Sequence, residues 1–244
     1  MDIVQQPVAG DSRTSGVGVL DRCVVLLDLL AGRPQSLRAL AQASGLPRPT
    51  AHRLLVALEA HRLVSRDTAG LFRLGPRLIE LAAVAGPELD LASAAGPVLM
   101  NLHVATGESV QLYVRSGSHR LCIAARDAGA GTGLRDSVAV GALLPLSAGS
   151  GGKVLLAWSA DVADLPADQQ AELAAVRSRG WAASVAEREP GVASVSAPVL
   201  RDGVLLGALC VSGPVSRLGE SPGRTLSDAV VAAAAELSAG LAAR

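Results

Sequence analysis

An arginine-rich segment at residues 36–53, SLRALAQASGLPRPTAHR, has the pattern of a helix, a glycine turn and a second helix. Ser36 is a good N-cap for the first helix, and Gly45 favours its end. In the second helix, one periodic stripe points inward: Ala51, Leu54, Leu55 and Leu58. The opposite face carries Pro49, His52, Arg53 and Val56. Guanidinium groups read guanine edges, so we expect this face to contact DNA; a merely solvated face is the alternative.

Sequence patterns that would indicate an enzyme lack required residues. AGSGGKV resembles a phosphate-binding loop, but Ser147 stands where the first glycine is required, and Val154 replaces the hydroxyl residue that meets magnesium. A nucleophile elbow around Ser150 would need glycine at Ala148. The four histidines show no metal-ligand spacing. We therefore predict no enzymatic activity, no metal site and no cofactor.

The segments on both sides of residues 36–53 can complete a small DNA-binding domain. Upstream, one apolar stripe predicts a helix: Leu20, Val24, Leu27 and Leu30. Downstream, residues 63–66 and 71–74 have the composition of two short strands joined by a turn. Three helices followed by a hairpin form a winged helix-turn-helix, with Arg66 and Arg73 on the wing.

The neutral net charge of the chain conceals two oppositely charged halves. Residues 1–78 contain ten arginines and six acidic residues, a net charge of +4, whereas residues 79–244 contain 12 basic and 16 acidic residues, a net charge of −4. Cationic contacts to phosphates supply most non-specific affinity for DNA. The N-terminal half is therefore the part that we expect on DNA.

The 244 residues are enough for two domains. Residues 109–126 and 191–213 read as hairpins of period two, so we expect the second domain to be α+β, with an antiparallel sheet. The first 14 residues lack periodicity, and Arg13 could reach a DNA groove from them. The predicted organisation is a disordered arm (1–14), a winged helix-turn-helix (15–76), linker helices (77–92) and a ligand-binding domain (93–244).

Composition also predicts the compartment. The apolar runs are broken before the roughly 20 residues of a membrane span, and the N-terminus lacks a signal-peptide pattern. Three widely spaced cysteines fit reduced thiols better than disulfides or a zinc site. We expect a cytoplasmic protein without a membrane partner.

Six segments, in this order, resemble the IclR family of bacterial transcriptional regulators: GVGVLDR, SLRALAQASGLPRPTAHRLLVALE, FRLGPRL, GALLPLSAGSGGKVLLAW, EREPGVASVSAPV and GALCVSGPVSRL. The resemblance covers residues 16–244. Within the family, the chain is similar to the actinobacterial subgroup associated with amino-acid metabolism, including the leucine branch. It implies a winged helix that dimerises and a GAF-like C-terminal effector domain. The family assembles as homodimers or homotetramers on double-stranded operator DNA.

The family's recognition helix corresponds to residues 49–59. Pro49 replaces the serine common at the start of that helix and removes an N–H that could bind phosphate. The resemblance and the periodicity together give one set of predicted DNA-binding residues: Arg13, Ser36, Arg48, Pro49, Thr50, His52, Arg53, Arg66 and Arg73.

The family's effector cup maps onto Ser150, Gly151, Glu187, Ser194, Cys210 and Ser212. Ser150 and Gly151 would open a helix whose free N–H groups attract a carboxylate. Cys210 and Ser212 alternate along a strand and so point the same way. Ordinary packing of small residues is the alternative. Glu187 would repel an anion, and could instead contact an amino group or hold its loop.

These features predict a sequence-specific regulator of transcription, such as a repressor, whose operator affinity responds to a small metabolite. Two alternatives stay open: a metabolite-handling enzyme with a vestigial DNA-binding domain, and an architectural DNA protein. The operator, the effector, repression or activation, and dimer or tetramer are also left open.

Overall fold

The computed structural model describes residues 15–82, 84, 87–127 and 138–242. The chain separates into two compact units, Met1–Gly86 and Pro87–Arg244. Arg13 lies outside the described residues, so its contact with DNA stays a prediction.

The first unit is a winged helix-turn-helix, as predicted. Its elements are α1 (Gly18–Gly32), α2 (Leu37–Ser44), α3 (Arg48–Ala60), β1 (Val64–Arg66), β2 (Phe72–Leu74) and α4 (Arg77–Ala82). Ser36 Oγ accepts a hydrogen bond from the N–H of Ala39, and Gly45 ends α2 in the left-handed conformation. Both confirm the predicted helix boundaries. The core consists of Leu26, Leu30, Leu40, Leu55, Leu58, Val64 and Phe72.

Helix α1 packs against this core with the C-terminal half of its predicted stripe. Leu30 is buried and Leu27 packs against the core, as predicted, whereas Leu20 and Val24 are 53% and 45% exposed. The prediction was wrong for these two residues because α1 is apolar on more than one side, so periodicity alone does not select the buried stripe. Apolar side chains of α1 are therefore left on the surface of the unit.

The second unit contains one antiparallel sheet of six strands and five α-helices among its described residues. Its elements are α5 (Pro87–Thr106), β3 (Ser109–Ser116), β4 (His119–Arg126), β5 (Leu143–Pro145), α6 (Ser150–Ala157), α7 (Ala167–Arg179), β6 (Ala182–Val185), β7 (Val192–Arg201), β8 (Val204–Pro214), α8 (Val215–Leu218) and α9 (Gly223–Ala242). The strand order is β5-β4-β3-β8-β7-β6. This confirms the predicted α+β class. The predicted linker, residues 77–92, falls on α4 and the start of α5.

Alternation along the strands divides the sheet into two faces. One face, with Val110, Leu112 and Leu209, packs in a core together with residues of α5 and α9. The other face, with Tyr113 and Cys210, packs in a core together with residues of α6 and α7. Helices thus cover both faces, and polar side chains on the second face can be buried beneath α6.

Helix α9 is long and apolar enough, by length and composition alone, to cross a membrane. We did not expect such a segment from the sequence. Val230, Ala234 and Leu237 of this helix belong to the core beneath the sheet. Packing against the sheet therefore accounts for its apolar composition.

Candidate functional site

The outer face of α3 is open to solvent from its first turn. Arg48, Pro49, His52 and Arg53 are exposed, and Thr50 is half-buried. These residues are the predicted recognition face, and the inner stripe of the same helix is buried in the core. The structure therefore presents this face without any rearrangement of α3.

Two prolines limit the backbone donors at the start of α3. Pro47 is the N-cap and Pro49 follows within the first turn, so neither has an N–H. The N–H groups of Thr50 and Ala51 both donate to the carbonyl of Pro47, at 2.9 and 3.0 Å. Arg48 supplies the remaining N–H of this turn. Its side chain, with no acidic residue in the first turn, makes this helix end cationic.

The two wing arginines leave opposite faces of the β1–β2 hairpin. Arg66 pairs with Phe72 and lies over its ring, 4.5 Å from the centroid, with Glu59 Oε2 3.3 Å away. Arg73 pairs with Ser65 and donates to its Oγ at 3.2 Å. Arg66 is therefore partly neutralised, while Arg73 keeps its full charge among the described contacts.

A small cavity lies between the second face of the sheet and the start of α6. Five of the six predicted effector residues line it: Ser150, Gly151, Ser194, Cys210 and Ser212. Its volume of about 20 Å³ is that of roughly one water molecule. The structure thus brings together residues that lie up to 62 positions apart in the sequence.

Serine hydroxyl groups form a chain in the wall of this cavity. Ser150 Oγ lies 2.7 Å from Ser194 Oγ and 2.8 Å from Ser196 Oγ. Ser194 Oγ lies 2.9 Å from Ser184 Oγ. All four side chains are buried. Ser184 and Ser196 were not predicted, because only strand register places them beside the predicted residues.

Arg120 is a further cavity residue that the sequence did not reveal. It is 3% exposed, and its Nη1 donates to the carbonyl oxygens of Pro145 and Ala148 at 2.5 Å each. Its guanidinium carbon lies 5.2 Å from the ring centroid of Tyr113. A Cβ at Gly149 would come within 3.0 Å of the guanidinium. The glycines of AGSGGK thus let Arg120 approach the start of α6, where it fixes the preceding loop.

Glu187 is the predicted effector residue that does not line the cavity with the others. Its Oε2 accepts the N–H of Gly149 at 3.0 Å, and its Oε1 lies 2.6 Å from Lys153 Nζ. Lys153 also binds Glu172 at 2.7 Å. Burial lowers the pKa of Lys153, but hydrogen bonds to and charges of the two carboxylates outweigh this and raise it. The geometry favours the alternative in which Glu187 holds its loop.

Charged side chains of both signs line the cavity. Arg120 and Arg188 line it together with Glu189, whose carboxylate is 3.9 Å from Arg188. Helix α6 begins there at Ser150 and has no acidic residue in its first turn. The described lining is thus polar and includes the N-terminus of a helix, where N–H groups point outward.

Comparisons with known proteins match both units to domains of the same family. Residues 19–68 match the IclR helix-turn-helix domain, and residues 84–167 and 163–239 match the C-terminal domain of the bacterial transcriptional regulator IclR. The chain is 30% identical to the HTH-type transcriptional regulator BhcR of Paracoccus denitrificans, over 96% of this chain and 91% of that protein. It is 33% identical to the glycerol operon regulatory protein of Streptomyces griseus, over 92% of this chain and 96% of that protein.

The fold is also that of solved structures. An IclR homologue from Microbacterium hydrocarbonoxydans, complexed with 4-hydroxybenzoate, superposes with a TM-score of 0.77 at 24% identity, over 93% of this chain and 100% of that chain. The matches to both domains, together with relatives aligned over nearly the whole length, show that the chain belongs to the IclR family of DNA-binding transcriptional regulators.

Proposed function

We propose that this regulator is a cytoplasmic, effector-responsive protein whose affinity for operator DNA changes when a small carboxylate of amino-acid metabolism binds beneath α6. The observation that carries this proposal is the junction of the α6 N-terminus with buried hydroxyl groups and Arg120 in one cavity. The resemblance to the actinobacterial subgroup supports amino-acid metabolism, including the leucine branch, as the source of the effector.

The exposed face of α3 is the proposed recognition surface. Arg53 is the best candidate for a base contact, because its exposed guanidinium can bind a guanine edge bidentately. Arg48, at the helix start, is the proposed phosphate contact. On the wing, Arg73 is the stronger candidate for a phosphate contact, since Arg66 already pairs with Glu59. Ser36 contributes by capping α2.

A homodimer, or a dimer of dimers, is the proposed assembly. The first unit exposes Val17, Leu20 and Val24 of the α1 region and Ile79 and Val84 near α4. Val17, Leu20 and Val24 are spaced three and four residues apart and so share one helix face, which is a candidate for a surface that another subunit covers. Two recognition helices in a dimer would read half-sites about 34 to 36 Å apart, or a multiple of that spacing.

Thermodynamic linkage between effector binding and operator binding gives the proposed mechanism. An effector that binds one arrangement of the dimer better than another shifts the population towards that arrangement. The change in operator affinity cannot exceed the ratio of effector affinities for the two arrangements. A tenfold change therefore requires a difference of at least about 1.4 kcal/mol.

A competition gel-shift assay with the DNA upstream of the protein's own gene tests DNA recognition. Arg53→Ala should weaken operator binding at least tenfold, while Arg201→Ala, an equal charge change at an exposed position in the second unit, should leave it unchanged. Binding that is equally tight on unrelated DNA at 150 mM salt would contradict sequence-specific regulation and favour an architectural role.

Thermal shift with small straight-chain and branched-chain carboxylates and their hydroxy, keto and amino derivatives tests the effector site. At least one acid should raise the melting temperature and change the operator affinity, and Ser150→Ala should abolish both effects. An acid that stabilises the protein without altering operator affinity would refute regulation by that acid. Turnover of such an acid by the purified protein would favour the enzyme alternative.

A further inference from the structure

Gln111 lies in the middle of β3 and is fully buried. Its Oε1 accepts a hydrogen bond from Ser212 Oγ at 3.1 Å. Its Nε2 has no hydrogen-bond partner among the residues that the structure describes. A buried donor left unsatisfied in this way is costly in a folded protein, so a bound group that accepts from it gains affinity.

The strand register places this amide beside the cavity. Gln111 is directly opposite Cys210 on β8, and Tyr113 follows two residues later on the same face of β3. Cys210, Tyr113 and Ser212 all line the cavity. Gln111 is therefore a direct neighbour of two lining residues, Cys210 and Ser212, although it does not itself line the closed cavity.

We propose that Gln111 determines effector specificity by donating a hydrogen bond from Nε2 to a second oxygen of the effector, remote from the carboxylate. This inference rests on the proposed function of the cavity and narrows its ligand class. The effector is then a bifunctional acid with a hydroxyl, keto or second carboxylate oxygen. A simple alkanoate would leave the amide unsatisfied.

The sheet geometry sets the spacing between the two oxygen groups. The hydroxyl chain that meets the carboxylate lies on β7 and α6, whereas Gln111 lies on β3, two strands away from β7. Adjacent strands are about 4.8 Å apart, so the two backbones are roughly 10 Å apart, and the glutamine side chain spans part of that distance. Acids with a main chain of about four carbons match the remainder once α6 moves away from the sheet, because the closed cavity of about 20 Å³ holds only one water molecule.

Three linear C4 acids test this inference: butanoate, 4-hydroxybutanoate and succinate. They share one carboxylate and differ in the group at the far end. Isothermal titration of the full-length protein should give dissociation constants at least fivefold lower for 4-hydroxybutanoate and succinate than for butanoate. In Gln111→Leu the preference should disappear or reverse, with butanoate bound at least as tightly as the other two acids, because their distal oxygen then meets no donor while butanoate binding is kept.

Two further variants keep the test decisive. Gln111→Met retains the length of the side chain, and serves if the leucine variant does not fold. Gln111→Glu replaces the donor by an acceptor, and should bind 4-aminobutanoate at least fivefold more tightly than succinate. Gln42→Leu, an exposed change on α2, is the matched control and should leave all four constants unchanged.

The outcomes separate this inference from the proposed function. A preference for the distal oxygen that survives in Gln111→Leu and Gln111→Met would overturn the role of Gln111, while the carboxylate site would stand. Loss of all three acids by the same factor, with a lower melting temperature, would show a purely structural role and also overturn it. If none of the acids binds the wild-type protein while operator binding is intact, the carboxylate site itself is refuted.

Discussion

Two adjacent glycines at the start of α6, Gly151 and Gly152, should lose different properties on substitution by alanine: ligand binding at Gly151 and stability at Gly152. A Cβ at Gly152 would lie 2.2 Å from the carbonyl oxygen of Leu146 and 3.0 Å from Arg120 Nη1. A Cβ at Gly151 would lie 3.2 Å from the ring of Tyr113 and would point to the cavity that this residue lines. Gly152 is thus a packing position, and Gly151 is a ligand position.

The expected magnitudes follow from these distances. An ordinary carbon–oxygen contact is about 3.3 Å, so Gly152→Ala must separate the helix from the Leu146 backbone by roughly 1 Å. Overpacking of this kind costs about 1–3 kcal/mol or more, of which the better helix propensity of alanine returns up to about 1 kcal/mol. We expect a net loss of about 1–2 kcal/mol, or roughly 2–8 °C in melting temperature.

Gly151→Ala should cost little stability, because the edge of the Tyr113 ring can shift by a few tenths of an ångström and helix propensity offsets the strain. Its methyl group, however, occupies space in a cavity of about 20 Å³. Binding of the C4 acids should therefore weaken at least tenfold. Urea unfolding followed by tryptophan fluorescence suits this comparison, since Trp158 and Trp181 both belong to the second unit.

Gly240→Ala is the matched control, because a Cβ there meets no atom within 4 Å. It should leave both stability and acid binding unchanged or slightly improve stability. The reasoning fails if Gly152→Ala is as stable as the wild type, or if Gly151→Ala binds the acids normally while it unfolds early.

Three further changes should have separable effects. Arg217→Ala should cost about 1–3 kcal/mol in urea unfolding, because Glu108, with a side chain 6% exposed, loses its 2.7 Å partner. We expect a value at the low end of this range, since the Arg217 side chain is 35% exposed. A loss of stability no larger than that of Arg201→Ala would contradict this prediction. Ser36→Ala should cost about 0.5–2 kcal/mol in urea unfolding followed by circular dichroism, because it removes the cap of α2. An unchanged free energy of unfolding together with weaker operator binding would instead indicate a direct DNA contact. Burial, reinforced by the charge of Cys210, raises the pKa of the Cys122 thiol to about 12. The thiol therefore loses its proton at lower pH in the unfolded state, and the free energy of unfolding should fall above pH 9, by up to about 1.4 kcal/mol per pH unit relative to Cys122→Val. Equal alkaline slopes in the two proteins would refute this.

Local signals in the sequence predicted the elements whose ends depend on local chemistry. The cap at Ser36 and the turn at Gly45 need only neighbouring residues, and the β7–β8 hairpin turns at Asp202 and Gly203, which adopt positive φ angles of 52° and 77°. These features depend on conformations that few residue types favour. They could therefore be located without knowledge of the fold.

Elements without an independent pattern were missed. Strands β5 and β6 contain three and four residues, too few to show a period. Helix α7 is largely polar, and Leu173 and Val176 are its buried side chains. Their conformation depends on tertiary contacts with α6 and the sheet edge, which no local pattern encodes.

The site was predictable only in part, because strand register assembles it. Ser109 pairs with Ser212 across more than 100 positions of sequence, and Gln111 pairs with Cys210 over nearly the same distance. One signal was available: Gln111 is a polar residue inside the apolar strand SVQLYVR, in the same phase as Tyr113. A polar residue that interrupts such a strand is a reasonable candidate for a buried contact.

The hydroxyl chain from Ser184 through Ser194 and Ser150 to Ser196 has a property beyond its contacts. Its four hydroxyl groups carry four protons, and three hydrogen bonds use three of them. One proton therefore remains unused, and it can lie on any of the four hydroxyl groups, so the chain has four arrangements of donation. An anion that accepts a proton from one of these hydroxyl groups selects one arrangement and orients every hydroxyl dipole at once. Occupancy of the cavity would thereby change the order of the protons on β6, β7 and α6 together.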